Sequence, residues 1–475
     1  MKAKKRVLST ILSLSSILLV GCNKKTTSSS SCSITTSTPT IDSTPEPTPT
    51  KTVEELNKEL FDNYAIFATY AERTDIDLFS FKDEIPEEYL NLETIIIPEE
   101  TFISGQDGVF RIIEIENSEG GLFSKFTKVK KIVIPASITR ILFSNASSKS
   151  SPFIYLPNLE SIEVDGTNEY FYTKGNCLIR KSDNTIICGW KNVEIPEEIT
   201  TIRSYAFSNN QSITTIKLNE KANFAKSSFS YLDNLSNIDI NGNITCKSEP
   251  NTNVIYFENV IYAAWGVVTI PSSIVSPVLD GYSSVTSVTL HDSVTTLSAN
   301  AFRGTKIKNL KIPASVNSIH LLAFNELTDI EDIQIDNNNQ TYEIVNNCIF
   351  DRYNGNNFVA IYYAYGDAAI PDYKVTLGAD ALQGSYSLSS LTLHNKFTSL
   401  SLNSFRLLPS TDKFTTIKFK GTIAEFKEMK QYASFYDTLK DRTTLNVEFL
   451  ESTDGINWTV KETYKMSELE SINIE

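Results

Sequence analysis

The chain has 475 residues, and its 57 Asp+Glu against 43 Lys+Arg leave a formal charge of −14. So acidic a chain argues against nucleic acid as a ligand, because a polyanion is held by clustered Lys and Arg. None of the six cysteines falls in a Cys-x-x-Cys spacing, so a structural zinc site is not indicated.

Lys2, Lys4, Lys5 and Arg6 open the chain, followed by a largely apolar run from Val7 to Val20 that ends in Leu19-Val20-Gly21-Cys22. This is the layout of a secretory signal over residues 1–21. The run is too short for an ordinary spanning helix of about 20 apolar residues, so a cleaved leader explains it. Its last four residues resemble the bacterial lipobox, and the resemblance implies Cys22 as a lipidated mature N-terminus. Two or more acyl chains there would anchor the protein stably. No second apolar stretch of spanning length follows, so the remainder is expected outside the cytoplasm, at the cell surface, held to a membrane through the lipid.

Losing the four basic leader residues leaves 39 Lys+Arg against 57 Asp+Glu, a formal charge of −18. Five cysteines then remain: Cys32, Cys177, Cys188, Cys246 and Cys348. An odd number precludes a fully paired intramolecular framework. Residues 22–52 are dominated by Ser, Thr and Pro, lack the apolar side chains that offset chain entropy, and read as a disordered tether. The helical spacing of apolar residues from Val53 to Tyr70 reads as an N-terminal cap within residues 53–91.

From about Leu92 to Phe419 one phrase recurs: two apolar anchors around a short polar strand, commonly closing in Ile-Pro, then a second apolar pair, then Ala-Phe. Val193-Glu194-Ile195-Pro196 leads to Ala206-Phe207, and Leu310-Lys311-Ile312-Pro313 leads to Ala323-Phe324. Further Ile-Pro steps end at Pro98, Pro135, Pro271 and Pro371, and Pro196 to Phe207, Pro313 to Phe324 and Pro371 to Leu382 each span 11 positions. Ile162, Asn168 and Asn176-Cys177 recur as Ile333, Asn339 and Asn347-Cys348, all shifted by 171. Within this region Cys177 and Cys188 flank two short strands around the turn Ser182-Asp183-Asn184. They either bond across that hairpin or remain two unpaired buried cysteines.

The pattern has a physical reading. Alternation as in Ile216-Lys217-Leu218 puts apolar side chains on one strand face and polar ones on the other. Proline directly after the strand cannot donate to a ladder and has a fixed φ, so it starts the turn. A unit of roughly 23 residues buries five or six large apolar side chains at ~1.5–3 kcal/mol each, against ~1–2 kcal/mol of backbone entropy per residue, so it cannot stand alone. Stacked units share their apolar faces, which predicts a solenoid with a parallel ladder at about 4.8 Å per step.

The phrase resembles BspA-type leucine-rich repeats, with the pattern apolar-x-x-Ile-x-Ile-Pro, Val-x-x-Ile, Ala-Phe. The fold class this implies is a β-rich α/β solenoid over residues 92–420, with a parallel sheet on its concave face and helical caps. Several copies depart from the pattern: Asn219, His291 and His394 replace the proline, and Ser228 and Ser404 replace the alanine. Residues 421–475 read as a C-terminal cap, with a helix over Thr422 to Leu439 and a hairpin between Leu445–Phe449 and Trp458–Glu462. The connecting Ser452-Thr453-Asp454-Gly455-Ile456-Asn457-Trp458 is similar to the Asp-box turn of sialidase propellers.

All three histidines are accounted for by the repeat: His291 and His394 stand in the proline slot and His320 follows the anchor Ile319. No nucleophile elbow, metalloprotease helix or phosphate-binding glycine loop occurs, so neither an enzyme nor a cofactor is expected. Asp336-Asn337-Asn338-Asn339 lacks the later glycine and glutamate of a calcium loop and reads as a turn, leaving no metal site. What is left is a surface. In leucine-rich repeats the residues flanking the central strand anchor point out of the concave sheet. Here these are Thr215, Lys217, Asn237, Asp239, Ser287, Thr289, Asn309, Lys311, Asp332, Gln334, Ser390 and Thr392. BspA-type proteins are known for adhesion, so the resemblance implies a surface adhesin for an extracellular protein or glycan. The alternative is a structural, envelope-associated lipoprotein without a dedicated ligand.

Overall fold

Thr52 opens helix α1, Val53–Tyr64, with a reciprocal capping box: its hydroxyl accepts from the Glu55 amide at 3.2 Å, and the Glu55 carboxylate accepts from the Thr52 amide at 2.8 Å. The computed structural model describes residues 51–69, 74–103, 105–116, 121–143, 151–240, 252–352, 361–373, 382–396, 413–429 and 432–472, with short strands at 247–248, 358–359, 376–377 and 399–400. The expected leader, Cys22 and the tether up to residue 50, with Cys32 and Cys246, lie outside the described residues, while Thr52, the last expected tether residue, caps α1. The unit described is residues 51–475.

The helix stops short of residue 70. Ala65–Ala68 runs instead as a strand antiparallel to β1, Asp75–Phe81. Ile66 and Phe67 are residue types that suit a half-buried strand, and pairing with β1 overrides the helical period. Five strands follow: β2 (Thr94–Ile96), β3 (Phe110–Glu116), β4 (Lys131–Ile134), β5 (Arg140–Leu142) and β6 (Ser161–Val164). A further two-residue strand, Glu100–Thr101, pairs antiparallel with β3. β1, β3 and β5 pair in parallel, and so do β2, β4 and β6.

An antiparallel meander comes next, β7 (Phe171–Lys174), β8 (Cys177–Arg180) and β9 (Thr185–Gly189). Parallel pairing then resumes in β10 (Asn192–Glu194), β11 (Thr215–Leu218) and β12 (Asn237–Ile240). A second meander contains β13 (Val254–Phe257) and β14 (Val260–Ala264). It leads into the parallel pairs of β15 (Gly266–Thr269) with β16 (Val285–Thr289), and β17 (Asn309–Ile312) with β18 (Asp332–Ile335). A third meander, β19 (Tyr342–Val345), β20 (Cys348–Asp351) and β21 (Ile361–Ala364), precedes the last sheet.

That sheet runs through β22 (Gly366–Ala369), β23 (Leu388–His394) and β24 (Thr416–Lys420) in parallel. Two short helices, α2 (Ile423–Glu428) and α3 (Tyr432–Leu439), replace the single expected helix, because Met429 leaves helical geometry at ψ 135°. β25 (Asn446–Glu451) then adds in parallel and β26 (Thr459–Lys465) antiparallel. The Asp454 carboxylate accepts from the amides of Ile456 and Asn457 at 2.8 and 2.7 Å, so the Asp-box-like segment closes this hairpin as a turn. Among the described residues no helix is long and apolar enough to cross a membrane.

The repeat is held from inside by aromatic rings and buried amides. Phe207 and Phe229 lie 5.8 Å apart, as do Phe302 and Phe324, and Tyr363 continues from Phe324 at 4.8 Å. Four of the strand-ending turns, at Pro135, Pro196, Pro313 and Pro371, are closed by a side chain from the next unit. Asn168 Nδ2 donates to the carbonyls of Pro135 and Ile138 at 2.9 and 3.0 Å, and Asn219 Nδ2 to those of Pro196 and Ile199 at 2.6 and 3.0 Å. Asn339 does the same for Pro313 and Val316 at 3.1 and 2.8 Å. His394 Nε2 bonds the Pro371 carbonyl at 3.1 Å. The copies that lose proline at 219 and 394 have thereby gained a clamp on the preceding turn.

The three meanders share one device. Asn176, Asn253 and Asn347 sit at φ 56°, 53° and 64°, a left-handed geometry that asparagine tolerates. Their Nδ2 atoms donate to the carbonyls of Asn192, Val267 and Asp367 at 2.8, 2.9 and 3.3 Å. Cys177 and Cys188 do not form the disulfide considered above: both are free and buried. The register pairs Cys188 with Leu178 rather than with Cys177, so the two side chains point to opposite faces of the hairpin. They join different core clusters, and burial pushes the Cys188 thiol up to about 12.

Candidate interaction surface

The outward rows of the parallel ladders bring most of the expected surface residues into register. Thr215 pairs with Asn237 and Lys217 with Asp239 on β11 and β12, while Asn309 pairs with Asp332 and Lys311 with Gln334 on β17 and β18. Ser287 and Thr289 stand beside Val267 and Thr269, and Thr392 beside Ala369 and Lys418. These groups belong to separate sheets, β10 to β12, β15 with β16, β17 with β18, and β22 to β26. Ser390 departs from the expectation: it is 5% exposed, and its hydroxyl donates to Asp367 at 2.7 Å, so it orients a neighbour rather than facing a partner.

Two contributors were not singled out from the sequence, although they stand in the quoted phrase or directly before it. Asn192 Oδ1 accepts from the hydroxyls of Thr214 and Thr215 at 2.8 and 3.2 Å. Glu194 accepts from Lys217 at 2.8 Å, and this hydrogen bond raises the Lys217 ammonium above its ordinary value. Strand alternation was the signal that would have found both. A pocket of about 380 Å³ lies at this end of the row, lined by Glu194, Glu197, Lys217, Asn219, Glu220 and Lys221 among others. Its polar, mixed-charge walls suit hydrogen-bonded contact with another surface more than enclosure of an apolar ligand.

The histidines serve turns. His291 Nδ1 accepts from the Ser293 amide at 3.1 Å and His320 Nδ1 from the Leu322 amide at 3.0 Å, while His394 clamps Pro371. The Asp336 carboxylate accepts from the Asn338 amide at 3.0 Å, as a turn requires.

One group of acids escaped sequence reasoning. Asp77, Glu114 and Glu116 are buried with carboxylate oxygens all within 4.8 Å of one another, and Arg140 pairs with Glu114. Asp77, Glu114 and Arg140 stand in one row across β1, β3 and β5. Burial, then the charge of Asp77, raises the Glu114 carboxyl above its ordinary 4.5 despite Arg140. Because the folded value is raised, the associated stability is fully present below pH 4.5 and is lost as pH rises through the folded value. Glu114→Gln is therefore expected to melt higher than the parent at pH 7, with the gap closing below pH 4.5. Thermal melts across that range decide it, and a parent that is more stable than the variant at pH 7 refutes the assignment.

Three solved structures align with nearly the whole of their own length. A leucine rich cell surface protein from Faecalibacterium prausnitzii A2-165 is 16% identical, with coverage of 83% of this chain and 95% of its own at TM-score 0.28. A leucine-rich repeat protein from Bacteroides ovatus ATCC 8483 is 12% identical, covering 82% and 99% at TM-score 0.24. The pneumococcal vaccine antigen PcpA is 12% identical, covering 81% and 95% at TM-score 0.17. No curated protein matches the chain. The model of the BspA type leucine rich repeat region matches in six copies across residues 187–260, 267–360 and 366–474, more than half of the chain. With the Ile-Pro strand ends, the parallel ladders and the phenylalanine slots in place, the chain belongs to the BspA-type leucine-rich repeat family.

Proposed function

We propose that the chain is a membrane-anchored cell-surface binding protein, an adhesin whose ladders form one solenoid over residues 92–420 between helical caps. Its outward polar rows contact host or neighbouring-cell proteins or glycans. The observation that carries this reading is the register of those rows: Thr215 with Asn237, Lys217 with Asp239, and Asn309 with Asp332. Short polar side chains repeated at about 4.8 Å offer many modest hydrogen bonds over a broad area, which fits a macromolecular surface. Lipid on Cys22 and the tether of residues 22–52 would hold the repeats away from the membrane, at about 3.1 Å per extended residue.

The test is binding of a soluble 51–475 fragment to arrays of matrix proteins and glycans. Saturable binding is expected, weakened at least tenfold by the combined change of Lys217, Asn237 and Asp239 to alanine and kept by Asp183→Ala at a hairpin tip. The absence of any saturable ligand, or equal binding by every variant, counts against it. Labelling with a palmitate analogue, lost in Cys22→Ser, tests the anchor separately. The structural envelope reading gains from one observation: Lys217 with Glu194 and Lys131 with Glu163 neutralise each other across their own strands at 2.8 and 2.7 Å. A deletion strain that attaches normally but has an altered envelope would select it.

A further inference from the structure

Strand β2 begins the β2, β4, β6 ladder and has a strand neighbour on one side only. In a parallel pair, alternate residues turn their backbone groups toward the neighbour. Toward β4, the Glu93 carbonyl accepts from the Lys131 amide and the Ile97 amide donates to the Val133 carbonyl, each at 3.1 Å. The Thr94 carbonyl and the Ile96 amide therefore face the open side. One side chain takes both: Asn57 Nδ2 donates to Thr94 O at 3.0 Å, and the Ile96 amide donates to Asn57 Oδ1 at 2.9 Å.

Asn57 sits on α1, is 2% exposed, and gives its remaining amide proton to the Val53 carbonyl at 2.9 Å. The helix is pinned at two further points. The Tyr89 hydroxyl donates to Glu59 at 2.9 Å, and Asp62 accepts from the Thr101 hydroxyl at 2.7 Å and the Phe102 amide at 3.2 Å. Among the described residues the last strand has no comparable cover: β26 is terminal in its sheet and most of its residues are exposed. A chain with both a first and a last edge open pairs head to tail, and such pairing does not close on itself. Stopping one edge is enough to prevent it.

We propose that Asn57 is a hydrogen-bonding plug that keeps the β2 edge from accepting the β26 strand of a second copy, so that α1 sets the assembly state of the chain. A primary amide is suited to this because it presents one donor and one acceptor in the geometry of a peptide group. It fills two backbone positions of a missing strand while offering nothing for the next strand to join.

The experiment is sedimentation of the full chain over a hundredfold range of concentration, with folding followed by circular dichroism. The parent is expected to remain a monomer. Asn57→Leu, of similar volume but without the amide, is expected to associate at concentrations at least tenfold below any at which the parent does. Adding Ile96→Pro removes the outward amide while leaving the bonds toward β4, and should restore the monomer. A folded Asn57→Leu chain that stays monomeric overturns the proposal, as does association that persists in the double variant or in the parent itself. Should the leucine chain fail to fold, Asn57→Ala removes both the donor and the acceptor without adding bulk. A folded alanine chain that stays monomeric is equally fatal.

Discussion

Asn339→Leu is expected to destabilise the 51–475 unit by about 4 kcal/mol, near the upper end for a single substitution. The Asn339 side chain is 1% exposed and makes four hydrogen bonds. Nδ2 donates to Pro313 O and Val316 O at 3.1 and 2.8 Å, and Oδ1 accepts from the amides of Thr341 and Tyr342 at 2.9 and 2.7 Å. Leucine fills the volume and strands all four backbone groups, each at about 1–3 kcal/mol if water cannot reach it. Substitution of the exposed neighbour Asn338 by alanine is the control and should change little. Urea unfolding of the two variants measures the difference. A loss below about 1 kcal/mol would mean that solvent reaches the turn and that the clamp is incidental.

Phe324→Ala is expected to cost a further independent 3–5 kcal/mol, the range for emptying a buried aromatic site. Phe324 is fully buried between Phe302 and Tyr363, at 5.8 and 4.8 Å. Tyr363 is held in place by its hydroxyl, which donates to Leu327 O at 2.9 Å, so it cannot swing into the space left behind. Phe324→Leu should recover more than half of the loss by refilling the cavity. Equal melting of the alanine and leucine variants would show that the site collapses and that the ring stack contributes little.

Much of the fold was legible because the period of the repeat is written in residues that act on the backbone directly. Ile-Pro marks the end of a strand, the alternating Ile216-Lys217-Leu218 fixes which face is buried, and Phe207 and Phe324 fall 11 positions after proline, as Phe302 does after His291 in the proline slot. In the sequence the first meander shows only its hairpin between Cys177 and Cys188 and the third only the Asn-Cys step repeated at an offset of 171, and nothing marks the meander at 254–264. Val254 stands in it where Cys177 and Cys348 stand in the others, and Trp265 follows Ala264 where Trp190 follows Gly189. Its left-handed Asn253 carries the likeness, and backbone geometry of that kind leaves no mark on hydropathy.

The surface was less legible than the ladder. Alternation predicts that Ser390 faces outward, yet Asp367 on the neighbouring strand draws its hydroxyl in. The acids at 77, 114 and 116 look in sequence like a solvated strand face. A shift of register between Ile76 and Asp77 brings Asp77 opposite Glu114, and no local pattern announces it.

The asparagine clamps impose a direction on the chain. Asn219 closes the turn at Pro196, and Asn168 the turn at Pro135; in each case the later residue completes the earlier loop. A ribosome emitting this protein therefore leaves each of these clamped turns unfinished until some twenty to thirty more residues have emerged. Shortened versions should be cut just after a clamp residue and never just before one. A cut at 218 deprives Pro196 and Ile199 of their donor, whereas a cut beyond Lys221 leaves the preceding coil sealed.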